Sequence, residues 1–230
     1  MPRVLKILAI VLLVTSAISA FLLVRARSLR LDNPSAANPL VPEDRVKGLF
    51  VPDFTLTAPD GKAVTNEVFK GRVTVVDFFF THCPFICPTL TAKMAELAQM
   101  LKGVPNARFL SISVDPEHDT PERLGVYARE HARGPSGPEE RWTFATAHGQ
   151  ADAEADLRRL VTDGLKFDLG ADAKNMINLP GGGQMANVRH PPYFVVVGPK
   201  GEVLDIFTPT IPGELEAAAA RVRAVAERVK

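Results

Sequence analysis

The 230-residue sequence has two cysteines, one tryptophan and two tyrosines, and its formal net charge is only +1. Two cysteines cannot staple a small secreted scaffold, and a bond between Cys83 and Cys87 would close too short a loop to constrain the unfolded chain much. The pair has to be read through reactivity or metal binding. A basic excess is also missing. All acidic residues lie beyond residue 30, while Arg3, Lys6, Arg25, Arg27 and Arg30 precede them, which leaves 22 basic against 26 acidic residues in the remainder. That mild acidity argues against a nucleic-acid partner.

One long apolar run is present. Ile7–Val24 is an 18-residue stretch without a charge, flanked by Arg3 and Lys6 on one side and by Arg25, Arg27 and Arg30 on the other. At about 1.5 Å rise per residue it is nearly long enough to cross a hydrocarbon core of about 30 Å, so a membrane anchor is expected. A cleaved signal peptide is the alternative, because Ala17-Ile18-Ser19 ends in small residues; Phe21-Leu22-Leu23-Val24 continues apolar past it, which favours retention. Basic residues at both ends leave the orientation undecided. Residues 28–46, with three prolines and little periodicity, read as a flexible tether. The expected organisation is an anchor over 1–27, a linker over 28–46 and one domain over 47–230.

Within that domain, Phe54-Thr55-Leu56-Thr57, the turn Pro59-Asp60-Gly61-Lys62 and Ala63-Val64-Thr65 predict an entering β-hairpin. Val73–Phe80 reads as a strand buried on both faces, and Arg108–Val114 as a second. Leu90, Met94, Leu97 and Leu101 mark one face of a helix that starts near Pro88. Thr120-Pro121 caps another helix, running to about His131. Strand–helix–strand–helix order implies parallel strands joined by crossovers. A short strand at Trp142–Thr146 and a helix over Ala151–Thr162 follow. Gly164–Arg189, glycine-rich and weakly periodic, reads as a long loop. Tyr193–Val197, the turn Gly198-Pro199-Lys200-Gly201 and Glu202–Phe207 form a hairpin, and Pro212–Val229 a final helix. A βαβ start with a terminal hairpin and helix is a thioredoxin-like α/β arrangement: a central mixed sheet flanked by helices, with an added N-terminal β-hairpin.

Cys83 and Cys87 sit together where the Val73 strand meets its helix. Helical geometry over that spacing sets their Cα atoms about 6 Å apart, so the thiols can exist as a bond or as a pair. A helix N-terminus favours the thiolate. Paired thiolates are soft ligands, and with one histidine they fall short of the four ligands of a structural zinc site or an iron–sulfur cluster; three ligands suit copper. His82 adjoins Cys83 but points to the opposite face, and His118, His131 and His148 read as surface residues. His190 lies just before the Tyr193 strand, and in a thioredoxin-type sheet that connection faces the cysteine loop. Met176 and Met185 are weaker soft candidates.

These residues resemble the SCO/SenC family over about Val51–Phe207. Phe80-Thr81-His82-Cys83-Pro84-Phe85-Ile86-Cys87-Pro88 is similar to the family's C-P-x-x-C-P motif, and Ser113-Val114-Asp115-Pro116-Glu117-His118-Asp119-Thr120-Pro121-Glu122 to its S-V-D-P-x-x-D-T-P-E segment. His190 stands before Gly198-Pro199-Lys200-Gly201 as the family's histidine stands before its G-P-x-G turn, and the N-terminal anchor is shared. The resemblance implies a membrane-anchored copper protein with its domain on the periplasmic side of the cytoplasmic membrane. It implies Cys83, Cys87 and His190 as ligands of Cu(I) or Cu(II), with a Cys83–Cys87 disulfide when metal is absent. It also implies an upstream copper donor, and as acceptor the subunit of cytochrome c oxidase that carries the binuclear copper centre. A thiol–disulfide oxidoreductase using Cys83 as attacking and Cys87 as resolving thiol is the alternative. Two departures stand out: Pro191 falls where thioredoxins place a cis-proline, and the stretch before His190 is unusually long.

Overall fold

A computed structural model describes residues 46–134, 137, 138 and 140–229, with a few helical positions between residues 12 and 21. The chain divides into two units, residues 1–36 and 37–230. In the first, the described positions, Leu12, Ile18 and Phe21 among them, are helical and exposed. Most of the expected anchor over Ile7–Val24, and the expected tether up to residue 45, lie outside the described residues. Among the described residues no helix is long and apolar enough to cross a membrane.

The second unit opens with β1 (Thr55–Thr57) and β2 (Ala63–Thr65), an antiparallel hairpin. Then come β3 (Val73–Phe79), α1 (Cys87–Met100), β4 (Ala107–Ser113) and α2 (Pro121–His131). Two-residue strands β5 (Arg133–Gly134) and β6 (Gly137–Pro138) lead to β7 (Trp142–Ala145) and α3 (Ala153–Arg158). The rest is β8 (Gly170–Asn178), β9 (Gln184–Arg189), β10 (Phe194–Val197), β11 (Val203–Phe207) and α4 (Glu214–Ala226).

Five strands make the central sheet, in the order β11-β10-β3-β4-β7. β3, β4 and β7 are parallel, as the α1 and α2 crossovers require, and β10 runs antiparallel beside β3. This is the mixed sheet expected from the sequence. β3 sits at its centre, so every residue from Val73 to Phe79 is buried, and β-branched and aromatic side chains fill both faces. Leu90, Met94 and Leu97 turn the apolar stripe of α1 into the core. Thr120 caps α2 by accepting the Arg123 N–H, with Pro121 in the first turn where its missing N–H costs nothing. The β1–β2 hairpin is tied on by two hydrogen bonds between Thr57 and Thr146, 2.8 and 3.0 Å long.

Two expectations change. Gly164–Arg189 is not a structureless loop, because most of it is the antiparallel β8–β9 hairpin, turned at Gly182 and Gly183 with φ of 88° and 87°. Its side chains are mostly exposed, and a register shift between Asp172 and Met176 interrupts the alternation that would have marked two strands. The helix expected over Ala151–Thr162 is α only to Arg158 and continues as one π-helical turn, Arg159–Gly164. That turn packs so tightly that a Cβ on Gly164 would lie 2.2 Å from Pro52 Cγ.

One residue of β3 is at odds with its surroundings. Asp77 is buried, accepts the Ser111 hydroxyl through Oδ1 and leaves Oδ2 buried without a hydrogen-bond partner in the protein. Burial pushes its carboxyl up to about 7, against the Ser111 hydrogen bond and the field of His190. An acid whose folded value is raised destabilises the fold as pH climbs. Below about pH 4 it is protonated folded and unfolded alike; above that the unfolded chain ionises first, at a cost of about 1.4 kcal/mol per pH unit up to neutrality. Asp77→Asn is therefore expected to unfold at higher denaturant than the parent at pH 8, with the advantage shrinking toward pH 4. Paired urea titrations under reducing conditions check this, and a pH-independent difference contradicts it.

Candidate metal centre

β3 delivers the chain into a turn over residues 81–86, from which α1 departs. Cys83 lies in the turn and donates its N–H to Phe80 O at 3.3 Å; Cys87 is the first residue of α1. Ile86 at the N-cap provides no side-chain acceptor, so the N–H groups of this first turn remain available to an anion. The backbone N–H groups of Phe85 and Cys87 serve the Cys83 sulfur.

The third group arrives along β10, which flanks β3 on the edge away from β4. His190 sits in the connection between β9 and β10, and its Nε2 lies 3.3 Å from Cys87 Sγ. Phe80 meets the imidazole edge-to-face at 5.8 Å between centroids, which fixes the plane of the ring. Ligand atoms of Cys83, Cys87 and His190 all lie within 4.8 Å of one another. Donors sharing one ion at metal–sulfur distances of about 2.3 Å stand roughly 4 Å apart, so contraction by less than about 1 Å closes the set. Sequence reasoning singled out these three residues, and they come together.

The two thiols are unequal. A hydrogen bond from Cys87 holds the Cys83 thiol down at about 4 against the opposing effect of burial, with help from His190 and the two backbone N–H groups. Cys87, wholly buried, is driven far up by burial, by its hydrogen bond to Cys83 and by the Cys83 charge. The pair thus holds one proton on Cys87 and one negative charge on Cys83. Cys83 lines a cleft of about 650 Å³ with Phe85, Ile86, Phe167, His190 and Tyr193. Phe85, 62% exposed, stands at its rim.

The turn is braced from the end of β4. Asp119, fully buried, accepts the Thr81 N–H at 3.0 Å and the hydroxyls of Thr81 and Ser113 at 2.5 and 2.6 Å. Arg123 Nε adds a bond to Thr81 Oγ1 at 2.6 Å. The Ser113–Glu122 motif thus anchors the residue two positions before Cys83, a role the sequence signalled only as a pattern. His82, Asp115 and Asp119 also lie close together, but Asp119 is already engaged by Thr81 and Ser113, and Asp115 by His118 Nδ1 at 2.9 Å.

The remaining candidates fall elsewhere. His82 packs edge-to-face on His118, His131 lies over Tyr127, and His148 Nδ1 contacts Pro116 O at 2.7 Å. Met176 is exposed on β8, and Met185 lines a separate pocket with Asp115 and His118. No peptide bond among the described residues is cis, so Pro191 departs from the thioredoxin pattern.

Two outcomes follow from this geometry. Iodoacetamide at pH 6 should alkylate Cys83 and spare Cys87, and Cys87→Ser should move the pH midpoint of Cys83 alkylation upward; equal labelling of both thiols contradicts the assignment. Asp119→Ala strands the Thr81 and Ser113 donors and should cost about 2–4 kcal/mol in urea unfolding; a change under 0.5 kcal/mol excludes the bracing role.

Comparison with known proteins gives a consistent result. The family model described as SCO1/SenC matches residues 42–227. A Bacillus subtilis SCO1 protein homolog is 36% identical over 155 residues, covering 67% of this chain and 71% of that one. Among solved structures, a SCO1/SenC family lipoprotein from Bacillus anthracis superposes with a TM-score of 0.64 at 25% identity, over 78% of this chain and 96% of that one. BsSco, described as a member of the Sco family of cytochrome c oxidase assembly proteins with a disulfide switch, gives a TM-score of 0.58 at 30% identity, over 78% and 94%. The chain belongs to the SCO1/SenC family.

Proposed function

We propose that this protein is a copper metallochaperone that carries one copper ion on Cys83, Cys87 and His190 and delivers it to the binuclear copper site of a cytochrome c oxidase subunit. The convergence of two sulfurs and one imidazole nitrogen within 4.8 Å carries the reading. Two soft thiolates and one imidazole suit Cu(I), and three donors leave a coordination position for an incoming ligand. Membership of the SCO1/SenC family and the likeness to BsSco support the same acceptor class.

Delivery proceeds by ligand exchange. An acceptor cysteine enters through the cleft, where Cys83 is reachable, and displaces one protein ligand at a time. Cys87, buried at the start of α1, leaves last. Loading removes the Cys87 proton, and a pair joined as a disulfide has no thiolate donors with which to hold the ion. In this reading an upstream donor loads the site, and Ile7–Val24 holds the domain, over 47–230, on the extracytoplasmic side of the cytoplasmic membrane. A second reading, a thiol–disulfide oxidoreductase that keeps acceptor cysteines reduced, draws support from the stabilised Cys83 thiolate beside a protonated Cys87.

A competition titration of the reduced protein with a Cu(I)-specific chelator separates the two. His190→Ala is expected to weaken copper binding by 10-fold or more, and replacing both cysteines by serine to abolish it. Unchanged affinity in His190→Ala, with dithiol reductase activity intact, contradicts the carrier role and leaves the reductase.

A further inference from the structure

We propose that Phe167 is a positioning residue for copper, holding the His190 imidazole in place from outside the ligand set; this rests on the copper-carrier reading above.

The first observation is how little else holds the ring. A ligating histidine is ordinarily oriented by a carboxylate or carbonyl on its second ring nitrogen. In His190, Nε2 faces Cys87 Sγ, and among the described residues the contact to Nδ1 is the Pro191 carbonyl of its own connection, at 3.4 Å. Phe80 sets the plane of the ring without a hydrogen bond to it. The place of the imidazole therefore depends on the backbone that carries it.

The second is that this backbone is stiff and held on both sides by one segment. Pro191 and Pro192 fix φ, so a displacement of Tyr193 carries back to His190. On the near side Arg189 pairs with Gly170 of β8, and its guanidinium reaches Asp168 Oδ2 and Ala171 O, each at 3.0 Å. That ion pair is exposed and contributes little by itself. On the far side the Phe167 ring packs on Tyr193 at 5.5 Å between centroids, and both rings line the cleft with Cys83 and His190. Tyr193 lies outside the ladder that β10 makes with β3, which begins at Val195. Phe167 is buried, so its contact is the stronger of the two holds.

The third is the backbone that brings Phe167 there. α3 widens into the π-helical turn Arg159–Gly164, after which Leu165 donates its N–H to Leu160 O at 3.2 Å and Phe167 to Val161 O at 3.0 Å. Lys166, between them, has a φ of 61°, the one positive φ at a non-glycine position among the described residues. Its Nζ donates to Asp163 O at 2.5 Å, closing the helix end. Glycine would adopt this conformation more readily than lysine, and a wide turn followed by a left-handed residue is the kind of departure that gathers at functional sites. Here it takes the chain off the helical spiral, with Phe167 against Tyr193 and Asp168 against Arg189.

The test is a double-mutant cycle on Cu(I) affinity, read by chelator competition with the reduced protein. Phe167→Ala should weaken binding about 10-fold, no more than His190→Ala does, and should add nothing in the His190→Ala background. Phe167→Leu, which keeps an apolar side chain in place, should show the same dependence on His190 at smaller size, and serves if Phe167→Ala does not fold. In the metal-free variants, amide exchange at His190 and Tyr193 should quicken while that of β3 holds. An equal loss of affinity in both backgrounds, or unchanged affinity and exchange in the single variants, overturns the proposal while leaving the copper site intact. Copper binding by His190→Ala as tight as the parent's overturns the copper-carrier reading and the proposal with it.

Discussion

The antiparallel pairing of β10 with β3 is the constraint on which the site depends. With Val195 opposite Val76 and Val197 opposite Thr74, β10 begins level with the end of β3, so the chain entering β10 passes the turn in which β3 ends. His190 and Cys87, more than a hundred residues apart in sequence, meet because two buried strands fix each other's register. A slip of one residue would turn Val195 and Val196 to the opposite faces and carry the imidazole away from the sulfurs. The apolar core thereby performs the positioning that a metal site requires before any metal arrives.

Electrostatics then differentiates two chemically identical thiols. Cys83 has N–H donors, a cleft and a protonated neighbour; Cys87 is fully buried and has a negative sulfur beside it. The same asymmetry serves an ion carrier, which needs one ligand to leave before the other, and a dithiol reductant, which needs one sulfur to attack and one to wait. The buried acids divide in a similar way. Asp119 is engaged from several sides and stiffens the turn, whereas Asp77 is held by the Ser111 hydroxyl alone.

Much of this was legible in the sequence because the signals were local and unopposed. The apolar run of β3, the Thr120-Pro121 cap and the paired cysteines each declare a structure by residue type alone. His190 was legible only through topology, since a loop histidine carries no mark of its own. The β8–β9 hairpin escaped because it buries little and a register shift breaks its alternation. Asp77 escaped because an apolar run is recognised by its hydrophobic members, and one acid among valines and phenylalanines reads as noise until its unpartnered oxygen is seen. The Asp119 brace lay inside a recognisable motif, but its target, Thr81, is 38 residues away and is fixed only by the β3–β4 pairing.

The account turns on one ion held by two sulfurs and the imidazole of residue 190. X-ray absorption at the copper edge of the loaded, reduced protein examines that coordination shell directly. The account predicts two sulfur scatterers and one nitrogen whose imidazole outer-shell signal disappears in His190→Ala. A shell of sulfur alone in the parent, or an imidazole signal that survives the substitution, would contradict it.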